Sequence, residues 1–502
     1  MDKKEEQKNE RFNLIESLFI TFSPKKALER EICRQNLKEL KVAFNYKAAE
    51  FDRFRNNWYA PGGSAESINA KSRPILRNRG RYEECNSPLA KAAINALIRN
   101  CIGKGIRPQA ATENEALNDK LEALFNEWVK PKLCDITGHN SFYELQALVL
   151  RRMIVDGEMF VYPVVVKDKK SKIPFKIQTL ESDLLDEAIV QAPGSKNAIV
   201  SGVEVDNYSA PLGYWFQQIS PDGLQIYGAK RVPADEVIHL FNKTRAQQVR
   251  GISELAQVLD TIKSTDDYKE AELIAARIAA CFALAVEVNG NPGSSGRMQN
   301  DAKGNKYEVL SPGQIYYLNP GESVKTANPS RAAAGVKDFM ELQQREVAAG
   351  MGQSYEVVTR DMSKATYSSA RQGQLEDRKT WEPVQEFMNV HFNQPIWELF
   401  VTYAVLSGKV TIRDFWNDPE KYYKCEWVTP GWDWVDPLKD VKATNEELSL
   451  NLTTLKEKCA ERGKDWRQIL KQRAKEKELE RQFGLIEEEG SEPSARKEGK
   501  NK

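Results

Sequence analysis

Three histidines, His139, His239 and His391, are the entire imidazole complement of the chain. None has a second histidine three or four residues away, the spacing that sets two rings on one helix face around a metal, so no metal centre is expected. His239 falls in the strand-like run EVIHLF and reads as a buried or edge residue, and His391 sits beside Phe387, Met388 and Phe392, where core packing outweighs ligation. The pairs Asp156/Glu158, Asp235/Glu236 and Asp266/Asp267 have the chemistry for acid–base work or cation binding. Among 72 acidic residues such pairs are common by chance, and solvated faces and caps are the expected explanation. The stretch Gly103-Lys104-Gly105-Ile106-Arg107-Pro108 lacks the GK[ST] ending of a phosphate loop and follows a helix-like segment instead of a strand. Gly103 reads as a helix stop, and Pro108 keeps the chain extended. No serine lies in GxSxG. The seven cysteines are scattered without a CxxC pair and read as reduced thiols in small apolar gaps. No catalytic residue, metal or cofactor is therefore expected. One polar stretch, VVTRDMSKATYSS, sets Arg360, Met362, Ser363 and Lys364 on a segment with no strong apolar pattern. It reads either as an ordinary solvated loop or as a loop touching nucleic-acid phosphates transiently.

The elements that must position these residues follow from composition and periodicity. The 502 residues imply about three domains, and 41% hydrophobic residues suffice for ordinary cores. The 73 basic and 72 acidic residues leave a net charge of +1, which argues against a polycationic nucleic-acid binder and favours few, weak phosphate contacts. No run of about 18 apolar residues suggests a membrane span, and the charged start MDKKEEQKNERFNLIESLFI is unlike a signal segment. Residues 1–25 and 485–502 read as mobile ends. Helical spacing from Pro24 to Phe54 breaks at Pro61-Gly62-Gly63-Ser64. A helix capped by Ser87 carries a stripe of Leu89, Ala92, Ala93, Leu97 and Ile98, and another runs from Ser141 to Val155. Strand-like MFVYPVVV, FKIQTL, AIVSGVEVD, GYWFQQI and EVIHLF complete a mixed α/β region up to about residue 250.

From Ser253 no glycine or proline interrupts the chain until Gly290, which predicts a helix of about 30 residues and roughly 45 Å. A Gly-, Pro- and Asn-rich insert with strand candidates KYEVL and QIYYL follows, then helical spacing at Val336, Met340, Val347 and Met351. After the polar loop comes a long helical stretch from Ala370 to Leu406, with bends expected at Pro383 and Pro395. The aromatic turn segment WVTPGWDWVDP precedes mostly helical sequence from Lys439 to Gln482, and no internal repeat is present.

Several stretches occur together in a diagnostic order: NALIRNCIGKGIRPQA, CDITGHNSFYELQALVLRRMIVDGEMFV, RVPADEVIHLF, RAQQVRGISELAQVLDTIKSTDDYKEAELIAARIAACFA, YYLNPGESV, AAGMGQSYEVVTRDMSKATYSSARQGQLEDR, AVLSGKV and PGWDWVDP. From about Phe44 to Gly484 the chain resembles the lambda-type family of tailed-bacteriophage portal proteins. It departs from the family's pattern at SKATYSSARQG, which lacks the usual Asn before Tyr-Ser-Ser-Ala-Arg, and at RAQQVRG, where Pro-Gly often precedes Gln-Val-Arg-Gly. The resemblance implies an α+β portal fold. Its parts would be a mobile arm (1–25), an α/β wing (26–250), a stem helix (251–287), a β-rich clip (288–330), a second stem helix (331–351), a tunnel loop (352–369), a long kinked helix (370–406), a helical crown (407–484) and a tail (485–502). It also implies a homo-oligomeric ring, of about twelve copies, at one capsid vertex of the virion. The ring would be assembled in the host cytoplasm, without a membrane, and would conduct double-stranded DNA during packaging and ejection. Implied partners are the terminase large subunit, head-completion and connector proteins, and the major capsid and scaffold proteins. Arg360, Met362, Ser363 and Lys364 would then be the tunnel-loop residues nearest the DNA. The competing readings are a packaging enzyme of terminase type, against which the missing phosphate loop argues, and a minor capsid adaptor without a channel.

Overall fold

A computed structural model describes residues 62–166, 172–191, 197–220, 225–280, 335–432 and 437–483, with short strands between 284 and 326. The expected arm and helical run before Pro61, the strand candidate QIYYL and the tail from residue 485 lie outside the described residues. The chain divides at Gly63 and Ser64 into two units, and the architecture is that of the unit from Ser64 onward.

The first helix, α1 (Ala65–Asn86), has no counterpart in the sequence reading. Ser64 caps it by accepting from the Ser67 N–H at 3.2 Å. Its buried positions are Ala65, Arg73, Arg77, Gly80 and Glu83, so it docks through charge and a close approach instead of an apolar stripe. A Cβ on Gly80 would lie 2.9 Å from the Val155 carbonyl oxygen, which explains a glycine inside a helix. Helix α2 (Pro88–Cys101) buries Leu89, Ala93 and Leu97 of its expected stripe but leaves Ala92 and Ile98 half-buried, and the Ser87 hydroxyl makes no capping bond. Gly103, at φ +52°, follows the helix end in the left-handed region. Strand β1 (Arg107–Ala110), α3 (Glu115–Trp128) and the short α4 (Pro131–Cys134) lead to α5 (Phe142–Asp156), which Ser141 and Glu144 close with a reciprocal capping box.

The five expected strand runs are present, AIVSGVEVD as two strands, and Ile226–Pro233 adds a further one. Strands β2 (Glu158–Val165) and β3 (Phe175–Leu180) pair antiparallel; β4 (Ala198–Val200), β5 (Val203–Val205), β6 (Pro211–Ile219) and β7 (Ile226–Pro233) form a meander; β8 (Ile238–Phe241) returns to pair with β2. Phe160, Val203, Tyr214 and Phe216 fill a small core beside β2, and a larger one gathers Phe125, Trp128, Phe142, Trp397 and Phe400.

The helix expected from Ser253 to Gly290 is shorter. A 3₁₀ turn (Glu254–Gln257) precedes α6 (Leu259–Ala280), and the chain is already extended in β9 (Leu284–Val288). Twenty-two residues span about 33 Å. Absence of Gly and Pro permits a helix without enforcing one, and LAVEV alternates in the strand period. Strands β10 (Gln299–Asn300) and β11 (Lys306–Tyr307) pair with each other, and β12 (Glu322–Thr326) pairs antiparallel with β9. Of KYEVL, only Lys306 and Tyr307 fall in a described strand.

Helix α7 (Val336–Gly350) follows, then α8 (Tyr355–Thr359) and α9 (Tyr367–Met388). The polar loop is thus shorter than expected, residues 360–366, because Thr366 and Ser369 form a capping box that starts α9 early. Pro383 lies within α9, and a π-helical turn (Asn389–Asn393) joins it to α10 (Gln394–Leu406). Pro395 has no N–H for the His391 carbonyl, which accounts for the widened turn just before it. After α11 (Glu420–Tyr423), β13 (Cys425–Val428) pairs with β1 and ties this late segment to the start of the fold. Helices α12 (Pro437–Ser449), α13 (Leu455–Glu461) and α14 (Trp466–Gln482) complete an α+β architecture.

Candidate functional site

Two clusters of charge stand out, one sealed and one open. The sealed cluster lies where the strand region meets the start of α6. Gly157, at φ +92°, turns α5 into β2, and a Cβ there would collide with the Ile252 backbone at 2.3 Å. That turn delivers Glu158 into the interior, where it is fully buried. Its carboxylate accepts from Arg250 Nε at 2.8 Å, from Gly251 N at 3.0 Å, from His239 Nε2 at 3.0 Å and from Ser182 Oγ at 2.5 Å, and Arg250 Nη2 also donates to it. Around this pair, Arg73 donates to the Gly251 carbonyl and pairs with Glu66, which accepts the N–H groups of Val249 and Arg250. Arg77 donates to Ser182 Oγ and pairs with Asp183, and Arg81 holds the buried Asp156 with two 2.8 Å bonds. The expectation that Asp156 and Glu158 are solvated is therefore overturned; residues two apart on opposite sides of a sharp glycine turn both point inward to arginines of α1 and of the α6 entry.

The electrostatics follow from burial and pairing. Burial alone would raise the Glu158 pKa, but the Arg250 charge and the bonds from His239 and Arg250 hold the carboxyl well below its ordinary range. Burial lowers the His239 pKa more than its bond to Glu158 raises it. The neutral ring donates from Nε2 to Glu158 and accepts at Nδ1 from the Tyr214 hydroxyl at 3.3 Å. Every acceptor of Glu158 is occupied by the chain itself, so the cluster joins elements and leaves no lone pair for a reacting group.

The open cluster surrounds residues 360–366. Arg360 closes α8 at φ +60° and is exposed, as are Met362, Ser363 and Lys364. Asp361 accepts the Ser363 N–H at 2.9 Å, and Lys364 pairs with Glu341 of α7 at 2.5 Å, where Arg345 also binds. Of the four expected residues, then, Lys364 is tied to a neighbouring helix, while Arg360 and Met362 line a hollow of about 370 Å³ together with Arg99, Arg378, Trp381 and Trp432. Arg99, Arg378 and the two tryptophans were missed in the sequence, since they stand on α2, on α9 and after β13 with no shared motif.

Cys101 and Cys134 are buried free thiols pushed up to about 12 by burial. Among the described residues no group of His, Cys, Asp and Glu is placed to hold a metal, and no helix is long and apolar enough to cross a membrane.

A family model described as "Phage portal protein, lambda family" matches residues 51–385. The probable portal protein of Halomonas phage phiHAP-1 is 26% identical over 447 residues, covering 85% of each chain. Portal protein B of Escherichia phage lambda is 22% identical over 474 residues, 86% of this chain and 88% of its own. Among solved structures, the neck of an empty gene transfer agent particle covers 78% of this chain and 94% of that one at 14% identity and a TM-score of 0.44. An HK97 family portal protein from Corynebacterium diphtheriae covers 58% and 82% at 11% identity and a TM-score of 0.32. Because the family model spans more than half of the sequence, with both curated relatives aligned along most of their lengths, the chain belongs to the lambda family of phage portal proteins, structural proteins and not enzymes.

Proposed function

We propose that this chain is one copy of a closed ring at a single capsid vertex of the virion, through which double-stranded DNA enters during packaging and leaves during ejection. The observation that supports this best is the pair α6 and α7. They meet through Tyr268 and Phe339, with ring centres 4.8 Å apart, and β9 and β12 pair at the end of α6 and before α7. After Thr265 no described residue of α6 is buried, and in α7 only Val347 and Ala348 are. Leu273, Ile274, Phe339 and Leu342 stand exposed on the two helices. Apolar side chains gathered on a slender helix pair need a cover, and a neighbouring copy in a heterologous, closing interface supplies it.

In this reading the wing extends to residue 250, α6 and α7 are the stem, and residues 288–330 form the clip. The terminase large subunit, and later the head-completion and connector proteins, dock on that clip. Residues 352–369 are the tunnel loop, 370–406 the kinked helix, and 407–484 the crown inside the capsid, whose shell and scaffold proteins surround the ring. Arg360, Met362, Ser363 and Lys364 touch passing DNA, and their phosphate contacts are few, as sliding requires. Electron microscopy of the purified protein tests the ring: closed rings of about twelve copies with a central opening are expected. Monomers and dimers alone across a range of concentrations would sink the reading, and rings without an opening would favour an adaptor.

A further inference from the structure

Three arginines from separate elements, Arg99 on α2, Arg360 closing α8 and Arg378 on α9, line one hollow of about 370 Å³, in which Glu356 is the single carboxylate among the described residues. Among the described residues the Arg99 and Arg360 guanidiniums have no hydrogen-bond or ion-pair partner. They also oppose each other: burial, and then the Arg360 charge, lower the Arg99 pKa. Arg360 occupies the left-handed position after a helix, at φ +60°, where glycine is the unstrained choice. A long cationic side chain held there at a conformational cost points to a use for its head group.

The apolar wall of the same hollow is also short of acceptors. Trp381, only 3% exposed, and Trp432 lie with ring centres 5.4 Å apart, and both buried indole N–H groups lack a partner among the described residues. The Arg378 guanidinium lies 5.6 Å from the Trp432 ring centre, a cation–π distance. Orphaned indoles occur at Trp215 and Trp397 too, but neither lines this hollow. What the described residues of the hollow offer is donors and positive charge, with Glu356 as their one anionic group. A multidentate oxyanion supplies what is missing, and arginine forks match its geometry.

We infer that the hollow bounded by Arg99, Arg360, Arg378, Trp381 and Trp432 binds a phosphate group. Two sources carry that chemistry, a free phosphate and the phosphodiester backbone of DNA; assignment to passing DNA rests on the ring reading, and the anion site itself does not.

Isothermal titration of the full chain at low salt with inorganic phosphate tests the site. Saturable binding is expected, weakened about tenfold or more by Arg99→Gln through loss of a charge-assisted bond, and less by Arg99→Lys, which keeps the charge. Trp381→Phe keeps a ring and removes one N–H, and a smaller weakening is expected. Near-ultraviolet circular dichroism checks that each variant keeps its packing. Displacement of the bound phosphate by a short DNA duplex assigns the site to the backbone, and failure of the duplex to compete assigns it to the free anion. No saturable phosphate binding by the unaltered chain, or equal affinity in Arg99→Gln, overturns the inference. Because none of these variants alters residues 360–366, intact rings that fail to bind phosphate would overturn the pocket alone, and phosphate binding by a chain that never forms rings would overturn the ring alone.

Discussion

The sealed junction and the open loop are built from the same residue types and differ in who satisfies them. At the junction every oxygen of Glu158 is met by Arg250, Gly251, His239 or Ser182, away from water. Around residues 360–366 the cations meet either a solvent-side partner, as Lys364 meets Glu341, or, among the described residues, none, as with Arg360. A buried pair whose members complete each other holds elements in place, because removing one partner strands the other in a medium that cannot solvate it. An exposed charge adds little to stability and stays available to a partner. Arginine count therefore says nothing about role in this protein; the dielectric around each guanidinium decides it.

The comparison breaks most visibly at Arg250. Arg250→Ala leaves Glu158 charged and buried, and a loss of about 3–5 kcal/mol in urea unfolding is expected. A loss comparable to that of an ordinary surface change would mean that the junction is not what couples α6 to the strands. The paired change Glu158→Gln with Arg250→Met is expected to cost less than Arg250→Ala, since no lone charge remains.

Acid should find the same weak point in two steps. His239 has its pKa lowered from the ordinary 6.5, so the unfolded chain takes up that proton first. Its contribution is complete above about pH 6.5 and is lost as pH falls toward the folded value. Glu158 has its pKa depressed below the ordinary 4.5, so its contribution is present above that value and lost as pH falls through the depressed one. Stability measured across pH should thus decline below neutrality, and His239→Asn should flatten the upper window while leaving the lower. An unchanged upper window in that variant would locate the acid sensitivity elsewhere.

Smaller structural effects are expected in the open region. Leu342→Glu should leave the melting of the single chain nearly unchanged yet disperse the rings seen by electron microscopy. Arg360→Ala with Lys364→Ala should leave both folding and ring assembly intact while lowering the amount of packaged DNA; a normal phage yield would remove the loop from any DNA contact. The smallest effect belongs to Ser87→Ala. A capping serine is typically worth about 1 kcal/mol, but the buried Ser87 hydroxyl has no hydrogen-bond partner among the described residues, so no loss is expected.

Much of this molecule was legible because it obeys simple periodicities. The stripe through Leu89, Ala93 and Leu97 placed α2, and the helix expected from Ser141 to Val155 is α5. Helix α1 was illegible for the opposite reason, since its buried face is made of Arg73, Arg77 and Glu83, residue types that usually mark a solvated face. The Ser253 helix was overread because propensity alone does not end a helix, whereas pairing with Glu322–Thr326 recruits Leu284–Val288 into a strand. The loop residues Arg360 and Lys364 were visible as cations without an apolar pattern, but their separation into a tied lysine and a free arginine was not.

The sequence by itself determined the family, through ordered motifs that no local rule explains, and many of the individual helices and strands, through periodicities of two and 3.6 residues that are properties of single segments. Only the tertiary structure decided which carboxylates are sealed and which arginines are free. Burial of Glu158 depends on Arg250, 92 positions away, and the hollow beside Arg360 depends on α2, α9 and the segment after β13. The solvation and the partner of a charge are set by neighbours in space, and no spacing along one segment records them.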